Sequence, residues 1–266
     1  MADAHDDENE VEAPVLGKPA PLGGLRRKGI YLLPNLFTTG VLFCGFFAIV
    51  QAMQGRFEIG AIAIFVAMVL DGMDGRVARW TNTQSEFGAQ YDSIADMVAF
   101  GAAPALVAYE WTLKDLGTAG WIAAFIYCAA TGIRLARFNA NISVVDKRYF
   151  QGLPSPSGAA IMTGLVWVLV DFDFRPNEYL WIAAVTWVVA VFAGVTMVSN
   201  VPFWSFKEVN WRKRVPLWVI IASVLAISLV ASSPSLILFT LVMAYGLSGY
   251  VMWAMGHRVR PVLPEE

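Results

Sequence analysis

Residues 70–96 read LDGMDGRVARWTNTQSEFGAQYDSIAD and follow directly on the apolar run EIGAIAIFVAMV. Four aspartates, Asp71, Asp74, Asp92 and Asp96, thus stand in a stretch otherwise ready to cross a membrane. Asp71 and Asp74 are three residues apart and Asp92 and Asp96 four apart, spacings that put each pair on one face of a helix. The polar turn TNTQSEFG between them is short, which makes the two helices antiparallel neighbours and lets all four carboxylates converge. An ionisable side chain near the bilayer centre costs ~2.5–3.5 kcal/mol on insertion scales, so four unpaired aspartates cost roughly 10 kcal/mol or more before their mutual repulsion is added. Hard divalent cations such as Mg2+ or Mn2+ prefer carboxylate oxygen, and two of them would neutralise the cluster. Taken singly, an aspartate at a helix end can be an N-cap or a snorkelling surface charge. Four at this spacing point to a site.

Gly75, Ala78 and Gly88 lie on or beside the same faces. Small residues in membrane helices, Gly72 included, serve close helix packing; here they can instead clear space for a ligand between the carboxylates. Arg79, five residues after Asp74, can reach a phosphate with its planar fork. No histidine, Ser–His pair or cysteine accompanies the cluster, so a protein nucleophile is not suggested. What remains is the two-metal pattern for displacement at phosphorus.

The elements that position these groups are membrane helices. Of the 266 residues 57% are apolar and only 15% charged, with a mean hydropathy of +0.56, well beyond an ordinary soluble domain. Segments long enough to cross about 30 Å of hydrocarbon fall near 31–53, 58–79, 88–111, 119–140, 155–172, 179–199, 215–232 and 234–256. Lys and Arg collect on alternate connections. One side takes Arg26, Arg27 and Lys28, then Arg76 and Arg79, then Arg134, Arg137, Lys147 and Arg148, then Lys207, Arg212, Lys213 and Arg214, and last Arg258 and Arg260; the other has only Arg56, Lys114 and Arg175. The positive-inside rule then places both termini, and with them the aspartates, on the cytoplasmic side. An odd number of crossings would scramble this alternation, so the charge pattern supports eight.

The first twelve residues carry six acids, so the net charge of −2 says little about partners, and no nucleic-acid partner is expected. This start has no basic region before an apolar core and reads as a disordered tail, not a signal peptide. Cys44 and Cys128 sit in apolar runs and read as packing residues. The expected organisation is an acidic tail over 1–24, a catalytic transmembrane core over 25–199, a cytoplasmic basic loop over 200–214, two additional transmembrane helices over 215–256 and a cytoplasmic tail over 257–266.

The run Asp71, two residues, Asp74-Gly75, two residues, Ala78-Arg79, eight residues, Gly88, three residues, Asp92, three residues, Asp96 resembles the complete signature of the CDP-alcohol phosphatidyltransferases. The resemblance implies an all-α polytopic transmembrane bundle with a six-helix core, usually a homodimer in a prokaryotic inner membrane. It implies transfer of a phosphatidyl group from CDP-diacylglycerol to an alcohol, with release of CMP. The motifs RRKGIYLLPNLFTTG, RLARFN and FQGLPSPSGA are most similar to those of the members that use L-serine; the same chemistry with glycerol phosphate, inositol phosphate or choline is the alternative. A cation transporter would also hold intramembrane aspartates, but these acids cluster at one membrane edge, and no matching set appears in the second half where inverted repeats would place one.

By this resemblance Asp71, Asp74, Asp92 and Asp96 bind two divalent cations, Mg2+ or Mn2+, and Asp96 takes the alcohol proton, with Asp92 beside it in the catalytic set. Gly75, Ala78 and Gly88 leave room for the cytidine moiety and Arg79 stands near its phosphates. Asn35 either caps a helix beginning after Pro34 or, with Thr38, faces the cytosine ring. Serine brings a carboxylate, so its pocket should offer an arginine. Arg134 and Arg137, three apart on one helical face, fit that role better than that of a plain positive-inside anchor. The prolines of GLPSPSG break the chain before the fifth segment, and Ser155 lines the same pocket.

Overall fold

A computed structural model describes residues 23–81, 85–140, 149–176, 180–205 and 217–256, with side chains described from Asn35 in the first helix and as far as Val77 in the second. Among these residues the chain is all-α apart from one short ribbon, and each of the eight expected segments contains a helix. They are α1 Gly23–Met53, α2 Phe57–Thr81, a composite α3, α4 Thr118–Ala140, α5 Ser155–Asp171, α6 Leu180–Val198, α7 Leu217–Ser232 and α8 Pro234–Ala254. Rod α3 runs through Glu86–Asp96, a π-helical stretch Met97–Ala102 and Ala103–Trp111 without leaving helical backbone angles at the joins. The acidic tail, most of the basic loop and the last residues, expected at 1–24, 200–214 and 257–266, lie largely outside the described residues.

Two expectations change in the first helix. α1 begins at Gly23, inside the stretch assigned to the tail, and it passes through Pro34 without ending. Asn35 is therefore an interior residue, and the reading in which it caps a helix falls. Its carbonyl is occupied by the Thr39 hydroxyl at 2.7 Å, one turn on.

Four helical stretches are long and apolar enough to cross a membrane: Asn35–Met53, Thr118–Ala140, Trp181–Val198 and Pro234–Ala254. The other segments fall short for separate physical reasons. α2 has the length but carries Glu58, Asp71, Asp74 and Arg76. α5 and α7 span 17 and 16 residues, less than the ~20 that a perpendicular crossing needs, and α3 changes helical register midway.

Packing is close where side chains are smallest, as expected where van der Waals contact drives helix association. α1 lies along α2 and also against α3, where a Cβ on Gly45 would stand 2.6 Å from the Ala99 backbone. On the other flank of the π-helical stretch, a Cβ on Gly101 would meet Thr131 of α4 at 3.2 Å. The wider π turn shifts the backbone ladder, and the fully buried Tyr127 of α4 donates its hydroxyl to the Phe100 carbonyl at 2.9 Å there. Ile64, Phe100, Tyr127, Ile161, Met162 and Met197, all at 0% exposure, fill the centre.

Strands β1 Tyr149–Gln151 and β2 Pro202–Trp204 pair antiparallel, Phe150 opposite Phe203. Between β1 and α5 the chain turns at Gly152, whose φ of +78° and closeness to the Met197 carbonyl leave no room for a side chain. The last two helices do not behave as one unit. α8 packs on α5 and on β2: Gly249 admits the Phe203 ring, the Tyr250 and Thr196 hydroxyls stand 2.6 Å apart, and Ser235 donates to Asp171 at 2.6 Å. α7 lies outermost against α8, its Trp218, Ile221, Leu225 and Ile227 turned outward.

Candidate metal and acceptor site

Three of the four aspartates expected to converge, Asp71, Asp74 and Asp92, meet in the structure. The backbones of α2 and the first stretch of α3 barely touch among the described residues; both lean on α1. The two rods pack further along, where α2 meets the π-helical stretch and Ala103–Trp111 of α3; at the aspartates the side chains, not the backbones, close the distance. One carboxylate oxygen each from Asp71, Asp74 and Asp92 lies within 4.8 Å of the others. At that separation each pair of charges repels by roughly 3–4 kcal/mol for an effective dielectric of about 20.

Local structure holds the cluster in place. Ser85 caps α3 by accepting from the Gly88 N–H at 3.0 Å, which fixes where the Asp92–Asp96 face begins. Thr38, nine-tenths buried on α1, donates to Asp74 Oδ2 at 3.3 Å. The Thr39 hydroxyl stands 3.0 Å from that of Tyr91, and Asn139 of α4 donates to Ser93 at 2.9 Å. α3 is thus tethered from both sides around Asp92. Asp96 is the last residue before the π-helical stretch and lies within electrostatic reach of the other three carboxylates.

The donor set fits a divalent cation. Three carboxylate oxygens converge, and the buried Oδ1 atoms of Asp92 and Asp96 have no hydrogen-bond partner. A buried oxygen that accepts nothing is costly, and hard cations take oxygen ligands of this kind. Asp71, Asp74 and Asp92 are the residues whose oxygens would hold it.

The small residues divide. A Cβ on Gly75 would meet nothing within 4 Å, and the same holds for Gly72. Among the described residues that face of α2 is open, and none of them packs against these two glycines. A Cβ on Gly88 would stand 3.1 Å from Ser85 Oγ and 3.5 Å from Asn35 Oδ1, so Gly88 lets the start of α3 close onto α1. Thr38, expected with Asn35 at the cytosine ring, donates to Asp74. The side chains of Ala78 and Arg79 lie outside the described residues.

The two arginines of α4 separate as well. Arg134 is nine-tenths buried; its Nη1 donates to Ser155 Oγ at 2.8 Å while its Nε has no partner. It lies within electrostatic reach of Asp96 and Asp71. Arg137 turns elsewhere. Its Nη1 donates to the Val198 carbonyl at 2.9 Å and Asn200 Oδ1 at 3.2 Å, its Nη2 to the Gln151 and Ser199 carbonyls at 3.0 and 3.1 Å. Four bonds use up the terminal N–H groups, which makes Arg137 the clamp between α4, the end of α6 and the ribbon. The expected pair is thus divided: Arg134 bonds to Ser155 at the start of α5, and Arg137 to backbone carbonyls and Asn200.

Tyr245 of α8 escaped the sequence reading. It lies within electrostatic reach of Arg134; its only outward signal is an aromatic hydroxyl beside Gly246 in an apolar helix. Cys44 and Cys128 are free and pack at the core edge.

The family described as CDP-alcohol phosphatidyltransferase matches residues 31–198. A Helicobacter pylori protein named CDP-diacylglycerol--serine O-phosphatidyltransferase is 36% identical over 228 residues, 84% of this chain and 92% of its own length. A Mycobacterium bovis protein of the same name is 30% identical over 236 residues, 87% of this chain and 80% of its own. A crystal structure of Mycobacterium tuberculosis phosphatidylinositol phosphate synthase with CDP-DAG bound is 22% identical, with a TM-score of 0.48 over 73% of this chain and 96% of that one.

Proposed function

The chain belongs to the CDP-alcohol phosphatidyltransferase family, and from that premise we propose that it transfers the phosphatidyl group of CDP-diacylglycerol to the hydroxyl of L-serine, giving phosphatidylserine and CMP. It is an integral membrane protein. The observation that carries the reading is the meeting of the Asp71, Asp74 and Asp92 oxygens within 4.8 Å, next to a buried arginine with an unused N–H. Serine as the acceptor is supported by the names of the two relatives and by Arg134, whose guanidinium suits a carboxylate.

Two divalent cations, Mg2+ or Mn2+, held by Asp71, Asp74, Asp92 and Asp96, would supply positive charge to the pyrophosphate and to the departing CMP. Asp96, with Asp92 beside it, offers its unpartnered Oδ1 to the serine hydroxyl. As the serine oxygen forms its bond to the diacylglycerol-bearing phosphorus, the P–O bond to CMP breaks and the proton passes to Asp96. Arg134 and Ser155 hold the serine carboxylate so that its hydroxyl faces that phosphorus. The open face at Gly72 and Gly75 leaves room for the donor head, with Ala78 and Arg79 one turn further along α2, Arg79 at the phosphates. Asn35, beside Gly88, closes the cytidine end.

The test is an acceptor panel: full-length protein in mixed micelles with CDP-diacylglycerol, Mg2+ or Mn2+, and serine, glycerol phosphate, inositol phosphate or choline. Metal-dependent CMP release with serine alone is the expected result. Release only with another acceptor overturns the serine reading, and no release overturns the transferase reading.

The charge bias supports placing both termini and the site on the cytoplasmic face of a prokaryotic inner membrane; labelling of a cysteine placed in the loop 200–214 from the outside of intact cells would contradict it. The family resemblance supports a homodimer, checked by the mass of the detergent-solubilised protein. We assign the catalytic core to 25–199, the tails to 1–24 and 257–266, and the basic loop to 200–214. In the added pair 215–256, packing of α8 on α5 joins that helix to the core.

A further inference from the structure

Rod α3 is fixed at both ends and irregular between them. At its start the Tyr91 hydroxyl stands 3.0 Å from that of Thr39 on α1, and Ser93 accepts from Asn139 of α4 at 2.9 Å, so the turn that bears Asp92 is pinned on both sides. At its far end Pro104, Val107, Ala108 and Trp111 are buried, and that stretch packs on α1, α2, α4 and α5. Between the two lies the π-helical stretch Met97–Ala102, after which the Ala103 N–H reaches back five residues to the Val98 carbonyl, where an α-helix reaches back four. The sequence supplies a reason. The Phe100 carbonyl would take its α-helical bond from residue 104, but Pro104 has no N–H to give, and its ring crowds that same carbonyl. The hydroxyl of Tyr127, a fully buried side chain of α4, fills the place at 2.9 Å. Tyr127 is itself seated by α6, where a Cβ on Gly194 would stand 3.2 Å from its Cα. Its carbonyl accepts from Thr131, the residue against which Gly101 closes.

We propose that Pro104 and Tyr127 set the register of α3, with Tyr127 a positioning residue that holds the wide turn open and so aims Asp92 at Asp71 and Asp74. The wide turn takes up one residue, so every position before it is displaced by one relative to an unbroken α-helix, roughly 100° about the axis and about 1.5 Å along it. Were the stretch to close into α-helix on its fixed far end, each earlier residue would move to the place now held by the one before it. Asp92 would come to the place of Tyr91, and Ala95, at 0% exposure, to that of Ile94 at 59%. The meeting of three carboxylate oxygens within 4.8 Å would be lost. Neither Pro104 nor Tyr127 acts on the substrate; both work through the backbone. The inference rests on the metal-holding reading of the aspartates above and is independent of the acceptor.

The experiment uses the full chain in detergent micelles and reads Mn2+ affinity by electron paramagnetic resonance in wild type, Tyr127→Phe, Pro104→Ala, and Pro104→Ala with Val98 deleted. Pro104→Ala gives Phe100 back its helical bond and should let the rod close out of register, raising the Mn2+ Kd by about 10–100-fold. Deleting Val98 in that background removes the surplus residue and should return the affinity to that of the wild type, a rescue that general damage to the fold would not allow. Tyr127→Phe empties the place on the Phe100 carbonyl and should raise the Kd by about 3–10-fold. A second readout needs no metal. With Cys44 and Cys128 replaced by alanine, the thiol of Ala95→Cys should resist N-ethylmaleimide in the wild-type register, react in Pro104→Ala, and resist again once Val98 is removed. Unchanged Mn2+ affinity in Pro104→Ala or Tyr127→Phe, or a loss that the deletion does not restore, overturns the proposal. If Asp92→Asn leaves Mn2+ binding as it was, the metal reading fails by itself and the register is judged on the thiol alone.

Discussion

Two aspartates of the cluster, Asp96 and Asp74, have surroundings that define what a substitution there should do. Asp96 holds a buried oxygen with nothing to accept, the condition of a group waiting for a proton. Asp96→Asn keeps the shape but cannot take that proton, so turnover should fall by about 10²–10⁴-fold, while binding of CDP-diacylglycerol, followed by fluorescent analogue titration, is retained. Turnover within tenfold of wild type would remove Asp96 as the base. Thr38 donates to Asp74 and steadies it. Groups of that kind typically set metal affinity, and Thr38→Val should raise the Mg2+ concentration for half-maximal CMP release by about 10–100-fold with kcat at saturating metal unchanged. At this scale the spacing of the aspartates was legible because helix periodicity is a local property. The place of Thr38 was not, since its partner sits on another helix.

At the scale of elements, α4 carries two arginines three residues apart whose fates differ because of what α6 and the ribbon bring to Arg137. Arg134→Ala should raise the serine KM by about 10–100-fold, the range expected for a hydrogen bond to a charged group, with little change in the KM for CDP-diacylglycerol. Arg137→Ala strips four bonds from three segments and should instead lower Tm and depress activity toward both substrates. A selective rise in the serine KM for Arg137→Ala would put it back in the pocket. Sequence could not separate the two, because Val198, Ser199 and Asn200, which occupy Arg137, are remote in the chain. The π-helical stretch was equally hidden. MVAFGA is an ordinary apolar string, and only the squeeze between Gly45 and Thr131 with the Tyr127 hydroxyl shows why a wider turn fits there.

For the whole molecule, hydropathy and charge alternation gave eight helices in the right places, since a membrane segment declares itself by length and composition alone. The ends of helices were less legible: α1 runs on through Pro34, and α7 and α8 divide between periphery and core. Where α2 and α3 touch was beyond the sequence: a short connecting turn predicts backbone contact at the aspartates, whereas the backbones meet further along, at the π-helical stretch and Ala103–Trp111. The carboxylates stand among membrane helices, so the donor's supply should be two-dimensional. A lipid that reaches the carboxylates by lateral diffusion is counted per unit of surface, not per litre. Diluting CDP-diacylglycerol with inert detergent at constant bulk concentration should therefore slow CMP release, and the rates should collapse onto one curve when plotted against donor mole fraction. Rates that follow bulk concentration instead would mean the donor arrives through water. In a cell, this enzyme would respond to the composition of its bilayer and not to the amount of lipid present.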